Sequence, residues 1–491
     1  MADVPTTAIL AIDWPGSLPF FLVLDWIVRL TMVGVVLLRR REPSVSLAWC
    51  AVVLSVPIVG ALSYLMFGEA RLGHRRLRRY REIVARIEHP EARRFSHDDP
   101  ATNALNETDR QIALLAESVG GNIPRTGNRM QLFGDTDVVV QRLVEDIDAA
   151  REHVHVLFYI WLADDSGRRV AEALLRAAKR GVACRVLVDD VGSRDFLRGP
   201  LRTALEHGGV RVAGALPVNL LRVALARIDL RNHRKIAVID RAIGWTGSQN
   251  IANADFAPKR RYAPWVDCMV RIEGPVVRDL QTLFVEDWYL DTDESLEELL
   301  VAPVAPREGG VTTQLLGTGP ASSRAPMRLL VQAMTQVARE ELILTTPYFV
   351  PDEATLLSLA SAARRGVTTK LVVPRRNDSH LVALASRSFY DPLLDAGVDI
   401  LEFRDGLLHA KTLTVDRRVG LISSANLDRR SFDLNFESGL VVFDDDFSSQ
   451  LRFLQVGYVE ASTPVSPAAW RRRIWPVRLA QNAAGLLAPV L

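Results

Sequence analysis

The chain has 491 residues, 48% hydrophobic and 24% charged, the balance of a folded protein too long for one small domain, which excludes an intrinsically disordered chain. Its three cysteines, Cys50, Cys184 and Cys268, are scattered and lack metal-ligand spacing, so neither a disulfide framework nor a zinc site organises the fold. The net charge of +2 hides ten Arg against five Asp or Glu in residues 1–81, which leaves the remainder at −3; a chain that follows a phosphate backbone carries its basic surplus on the folded domain, so nucleic-acid binding has no support.

Residues 18–38 are apolar but include Asp25 and Arg29, four apart on one helical face, where they can neutralise each other. Residues 45–67 (VSLAWCAVVLSVPIVGALSYLMF) hold no charge over 23 positions, enough to cross a hydrocarbon core as a helix. The pattern predicts a hairpin of two transmembrane helices, about 18–38 and 45–67, within residues 1–70. Residues 1–17 contain no Lys or Arg, so the basic region of a cleaved signal peptide is missing and the hairpin is expected to be retained.

Arg39, Arg40 and Arg41 lie between the spans, and the larger cluster Arg71, Arg75, Arg76, Arg78, Arg79 and Arg81 follows them. The larger cluster favours a cytoplasmic place for the rest of the chain, against the opposing inter-span arginines. That basic stretch reads equally as a contact for anionic headgroups or as a solvated helix face. The segment around 90–125 is polar without sustained periodicity, so residues 71–128 are read as a basic stretch and connector, with folded sequence resuming near Gln131.

An internal repeat follows. VHVLFYIWLADD (154–165) predicts a buried strand, RRVAEALLRAAKRG (168–181) an amphipathic helix and CRVLVDD (184–190) a second strand. ELILTTPYFVPDE (341–353), ATLLSLASAARRG (354–366) and TKLVVP (369–374) repeat that order. Two related α/β halves are expected, 129–303 and 304–491, with mainly parallel sheets covered by helices.

Each half carries one polar signature. NHRKIAVIDRAIGWTGSQN places His233, Lys235, Asp240, Ser248 and Asn250 at H-x-K-x4-D-x6-G-S-x-N, and LHAKTLTVDRRVGLISSAN places His409, Lys411, Asp416, Ser424 and Asn426 at the same spacing. Alternate residues of a strand share a face, so His and Lys project together, and Ser with Asn repeats this on the next strand. Asp240 and Asp416 complete the candidate catalytic set at strand ends, where a carboxylate supports a Lys or the backbone. Only five of the 60 basic residues are Lys, and two of them are Lys235 and Lys411. A compact ammonium with rotatable donors suits phosphoryl oxygens in a crowded site.

The doubled pattern resembles the phospholipase D superfamily, and the N-terminal hairpin narrows the likeness to bacterial cardiolipin synthases. PIVGALSYLMFG, WVDCMVRIEGP, TTPYFVPDE and NLDRRSFDLNFE extend it over nearly the whole chain. The resemblance implies two α/β sandwich halves related by a pseudo-twofold axis, with both His and both Lys in one cleft. It further implies that His233 attacks one phosphatidylglycerol to form a phosphatidyl-histidine, and that His409 protonates the departing glycerol. His409 then deprotonates the hydroxyl of a second phosphatidylglycerol, releasing cardiolipin. Lys235, Lys411, Asn250 and Asn426 would hold phosphoryl oxygens, with Ser248 and Ser424 beside the substrate.

Behind the histidines the resemblance places Glu437 for His233 and Asp267 for His409, each from the other half. It requires no cofactor and no metal; its partners are membrane phospholipids, and its location is the bacterial inner membrane. Hydrolysis or another phosphatidyl transfer by the same apparatus, and a non-catalytic membrane scaffold, are the alternatives. Ser423 departs from the pattern where Gly is expected, which would shift the second pocket slightly if that position needs a positive φ. Residues 217–230 and 381–394 are open to two readings, lipid entry or core packing, and the terminal AAWRRRIWPVRLAQNAAGLLAPVL to bilayer contact or docking on the domain.

Overall fold

Short runs rich in Val, Ile and Leu set the architecture. His153–Phe158, Ile236–Ile239, Thr412–Val415 and Glu437–Phe443 are strands with every residue buried, as strands covered on both faces must be. The computed structural model describes residues 18–39, 43–68, 72–87, 99–218, 227, 229–320 and 325–488. The N-terminal helices form one compact unit; Leu72–Val218 with Leu230–Leu491 forms an α/β body.

In the N-terminal unit, Leu18–Leu38 is one helix in which Arg29 Nε donates to Asp25 Oδ2 at 2.7 Å. The second expected span is two helices, Pro43–Ser55 and Pro57–Phe67. Pro57 has no N–H to continue the ladder and its ring excludes helical geometry at Val56, which adopts φ −136°, ψ 80°. The expected pair of transmembrane helices is therefore replaced by three helices, and no helix among the described residues is long and apolar enough to cross a membrane. Arg40, Arg41 and Arg71 lie outside the described residues.

The α/β body is built on one mixed sheet of 15 strands. Arg125–Phe133 and Val311–Thr318 meet at its centre through two antiparallel pairs, Arg125 with Thr313 and Asn128 with Val311. From Arg125–Phe133 the order runs Met269–Glu273, Ile243–Gly247, Ile236–Ile239, His153–Phe158, Ala183–Asp189 and Arg211–Ala215. From Val311–Thr318 it runs Glu437–Phe443, Val419–Ser423, Thr412–Val415, Glu341–Thr345, Thr368–Pro374, Asp399–Phe403 and Ser462–Pro464. Apart from the last strand, the two directions repeat each other, and the halves share one continuous sheet.

Two segments read as connector belong to this body. Helix His74–Ile87 buries Ile83 in the core, and Arg76 meets Asp291 at 2.9 Å while Arg79 donates to Leu290 O at 3.1 Å. Helix Glu107–Gly120 is capped by the Asn106 side chain, which accepts from Asp109 N, and packs Ile112, Ala113 and Ala116 into the second half. Its apolar stripe is narrow and set among polar neighbours, which explains why periodicity did not reveal it. Of the two apolar stretches with an open reading, Ala385, Tyr390 and Leu393 are core residues; most of 217–230 lies outside the described residues. The C-terminal helix Trp475–Gly485 docks through buried Gln481 and Ala484.

Asp240 and Asp416 occupy matching hairpin turns at φ 51° and 50°. Asp240 accepts from the backbone N–H groups of Arg151, Glu152 and His153 at 2.7, 2.8 and 2.9 Å. Asp416 accepts from Arg339, Glu340 and Glu341 at 2.9, 2.8 and 2.9 Å. These carboxylates splice each hairpin to the start of its neighbouring strand. Replacing either by Ala leaves the donors without that acceptor and sets a side chain without compensating bonds at positive φ, so Asp240→Ala and Asp416→Ala are each expected to destabilise the fold by about 1–3 kcal/mol, read as lower urea midpoints.

Candidate active site

Each candidate histidine sits just before a buried strand and is tied to the other half by its main chain. Asn232 bridges to Phe436, with His233 N donating to Phe436 O at 2.9 Å. Leu407 and Leu408 pair with Trp265 and Val266, and His409 N donates to Val266 O at 2.7 Å. In both places the residue before the histidine pairs with the residue before the partner carboxylate. The side chains complete the crossing: His233 Nδ1 lies 2.9 Å from Glu437 Oε2, and His409 Nδ1 lies 2.7 Å from Asp267 Oδ1. A ring nitrogen facing a carboxylate carries the proton, which leaves Nε2 of each ring for chemistry.

The carboxylates are themselves held. Ser248 Oγ donates to Asp267 Oδ1 at 2.6 Å and accepts from Cys268 N at 3.0 Å. Ser424 Oγ donates to Glu437 Oε2 at 2.5 Å and accepts from Ser438 N at 2.9 Å. The two serines were expected beside the substrate; their hydroxyl protons are committed to the carboxylates instead. Gly247, with φ 152°, lets this strand pass close to its neighbour, since a Cβ there would stand 2.3 Å from Cys268 O. Ser423 in the equivalent place has no positive φ; its Oγ bonds Ser438 O at 3.0 Å and Ala425 N at 2.9 Å, so the departure from Gly displaces nothing.

Lys235 and Lys411 are buried, and each Nζ donates to the main-chain oxygen of its own histidine, at 2.6 and 2.7 Å. Asn250 Oδ1 accepts from Ile160 N at 3.1 Å, whereas buried Asn426 Oδ1 has no hydrogen-bond partner among the described residues. A cavity beside Asp267 is lined in part by Asn250, Phe256 and Trp265. Asp240 and Asp416 are apart from this group: four strand residues lie between each and its Lys, five steps or roughly 16 Å of rise. They do not join the chemical cluster.

Sequence reasoning missed several groups. Tyr159 lies edge-on to His233 at 4.8 Å, and Trp265 lies 4.6 Å from His409. On the His233 side only, Arg234 forms a buried pair with Asp287 at 2.8 Å and donates to Glu437 O and Thr318 O, while Asn232 Nδ2 reaches the same Asp287 oxygen at 2.8 Å. The signal was present: Asn232 and Arg234 stand where the second half has Leu408 and Ala410.

Burial pushes the His233 imidazole down to about 4 against the pull of Glu437, with Lys235 and Lys411 adding to the push. Burial and Lys411 push His409 down to about 4 against Asp267. Asp267 stays low, about 2, because His409, Lys411 and Ser248 outweigh its burial. Glu437 is likewise lowered, its burial overcome by His233, Lys235 and Ser424. Burial also lowers both lysines, Lys411 to about 8. Each lysine's charge reaches the histidine of the other half. The site therefore gathers neutral imidazoles, ionised carboxylates and two buried lysines, a set suited to receive a small anion.

Comparison with known proteins bears on what that anion is. The family described as "Cardiolipin synthase, PLD-like domain" matches residues 143–288 and 330–453, and "Phospholipase_D-nuclease N-terminal" matches residues 30–69. Cardiolipin synthase A of Serratia proteamaculans is 36% identical over 489 residues, covering 96% of this chain and 99% of that one. The chain belongs to the cardiolipin synthase family. Cardiolipin synthase A of Erwinia tasmaniensis is 38% identical over 491 residues, covering 96% of this chain and 99% of its own. Among solved structures, phosphatidylserine synthase of Haemophilus influenzae superposes at a TM-score of 0.59 with 15% identity, over 79% of this chain and 100% of that one, a likeness of fold.

Two predictions follow from the geometry of this family member. Glu437→Gln and Asp267→Asn keep the shape but remove the charge that fixes each ring's tautomer, so kcat is expected to fall by about 10²–10⁴ with the unfolding midpoint little changed, read by steady-state kinetics beside thermal melts. An arriving phosphodiester anion favours protonation of an imidazole that burial holds at about 4. The complex then binds more protons than the free protein, so binding at about pH 6–7 takes up protons. Calorimetry of a non-reactive phosphodiester in two buffers of different ionisation enthalpy reads this uptake.

Proposed function

We propose that the protein is a cardiolipin synthase that transfers a phosphatidyl group between two phosphatidylglycerol molecules through a phosphatidyl-histidine. The observation that carries the reading is the crossing of the two pairs, His233 with Glu437 and His409 with Asp267. It supports a pseudo-twofold arrangement of halves 129–303 and 304–491 around a single cleft. His233 Nε2 attacks phosphorus; as the P–N bond forms, the bond to the glycerol oxygen breaks and protonated His409 supplies that oxygen's proton. His409, now neutral, takes the proton from the hydroxyl of the second phosphatidylglycerol, whose oxygen attacks phosphorus as the P–N bond breaks. Lys235, Lys411, Asn250 and Asn426 face the nonbridging oxygens. Asp240 and Asp416 hold hairpins, and Ser248 and Ser424 orient the carboxylates.

Membrane attachment fits the N-terminal unit. Leu22, Trp26, Leu30, Ile58, Val59 and Leu62 are each more than half exposed, an apolar surface that water does not accommodate and a bilayer does. The C-terminal helix offers a smaller one, with Trp475 and Leu479 exposed by 73% and 60% beside Arg472 and Arg478. The basic residues around the N-terminal helices favour the cytoplasmic leaflet of a bacterial inner membrane.

Supplying the purified full-length protein with phosphatidylglycerol vesicles tests the reading. Cardiolipin and glycerol in equal amounts are expected, with His233→Ala inactive. Phosphatidic acid with glycerol would identify a hydrolase, and full turnover by His233→Ala would leave the site without a catalytic role.

A further inference from the structure

The chain carries two histidine–carboxylate pairs but supports them unequally. His409 is flanked by Leu408 and Ala410, whose side chains carry no polar group. His233 is flanked by Asn232 and Arg234, both buried and both hydrogen-bonded through their side chains. Burying a guanidinium is costly unless its donors are paired. A costly arrangement kept at one histidine only points to a task that the other does not share.

Every guanidinium nitrogen of Arg234 donates. Nη1 meets Asp287 Oδ2 at 2.8 Å, Nε meets the main-chain oxygen of Glu437 at 3.1 Å, and Nη2 meets that of Thr318 at 3.0 Å. Glu437 and Thr318 face each other across neighbouring antiparallel strands, so one planar fork clasps both strands at the level of the carboxylate that orients His233. Asp287 lies in helix Val277–Thr292 of the first half and is buried, its Oδ2 accepting from Asn232 Nδ2 as well, at 2.8 Å. Asn232 completes the network: its Oδ1 accepts from Arg234 N at 3.3 Å, and its own N–H donates to Asp189 Oδ2 at 2.9 Å. Two strands of the second half are thereby fastened to a helix of the first through the residue next to His233.

The Glu437 side chain is held as closely as its main chain. Its two oxygens lie 3.0 and 2.9 Å from His233 Nδ1, Ser424 Oγ donates to Oε2, and Asn435 Nδ2 donates to Oε1 at 3.2 Å. Asp267 meets His409 and Ser248 through Oδ1, and two residues before it Trp265 stands where the second half has Asn435. The two rings have different work under the reading above. A nucleophile makes and breaks a bond to phosphorus, so its lone pair must lie on the line of attack. An acid–base group passes a proton along a hydrogen bond, whose geometry is broader.

We propose that Arg234, seated on Asp287, is the positioning residue of the nucleophilic histidine: it fixes the main chain at Glu437 and, through the His233–Glu437 pair, the line along which His233 Nε2 meets phosphorus. Arg234 acts through that pair and not on the substrate, and the His409–Asp267 pair does without such a residue. This deepens the reading of His233 as nucleophile and rests on it.

Two variants of the full-length protein test this on phosphatidylglycerol vesicles, with glycerol release measured per folded protein. Arg234→Lys keeps a cation for Asp287 but lacks the fork that spans both carbonyl oxygens. Arg234→Met with Asp287→Asn removes both charges, leaves Asn232 an acceptor and keeps the comparison open if the first variant does not fold. In either, kcat is expected to fall about 10–100-fold with KM within about threefold of wild type. Each variant is then combined with Glu437→Gln and, separately, with Asp267→Asn. Beside Glu437→Gln the further loss is expected to shrink to under about threefold, because the pair through which Arg234 acts is already broken; beside Asp267→Asn it is expected in full. A loss as large beside Glu437→Gln as beside Asp267→Asn overturns the proposal, since general support of the fold would not single out Glu437. A kcat within about threefold of wild type, or failure of both variants to fold, overturns it too. A phosphatidyl group trapped on His409 of the wild type by rapid quenching instead overturns the reading of His233 as nucleophile.

Discussion

The crossed histidine–carboxylate pair is the interaction on which this molecule depends. A buried imidazole reacts as nucleophile or acid only if its tautomer and orientation are fixed, and the fixing group here always comes from the opposite half. The backbone obeys the same rule, since the segment carrying each histidine is bridged to the segment carrying its carboxylate. One continuous sheet, joined at its centre by Arg125–Phe133 and Val311–Thr318, is the frame that holds two such crossings in register. Asp240 and Asp416 serve it at a distance, fastening the hairpins from which the lysines and serines project.

Charge follows from that geometry. Two carboxylates, two lysines and two neutral rings share an environment that burial makes costly for each charge separately. The serine hydroxyls and main-chain N–H groups around the carboxylates keep them ionised, and the lysines are left with main-chain oxygens until an anion arrives. Polar groups held in place before a substrate arrives need not reorganise during reaction.

Much of this was legible in the sequence because duplication doubles a signal. One H-x-K means little in a strand, but two with equal offsets to Asp, Ser and Asn locate the site, and a family likeness placed Glu437 and Asp267. Roles were less visible than positions. Ser248 and Ser424 share a face with the asparagines by spacing, yet their hydroxyls turn back to the carboxylates, a choice set by the neighbouring strand and not by the local run. Asn232, Arg234 and Asp287 were hidden because they break the repeat and pair over long separations. The helix Glu107–Gly120 was lost to its polar composition, and Pro57, plain in the sequence, divided what hydropathy alone joined. Burial in three dimensions decided each of these.

Because every histidine leans on the opposite half, the duplication carries no redundancy. A lesion in one copy cannot be covered by the other, and damage to either would be felt at both rings together. The copies differ even at their seam: Asn232 and Arg234 meet Phe436, Glu437 and Thr318 of the opposite half, where the matching Leu408 and Ala410 have no polar side chain to offer.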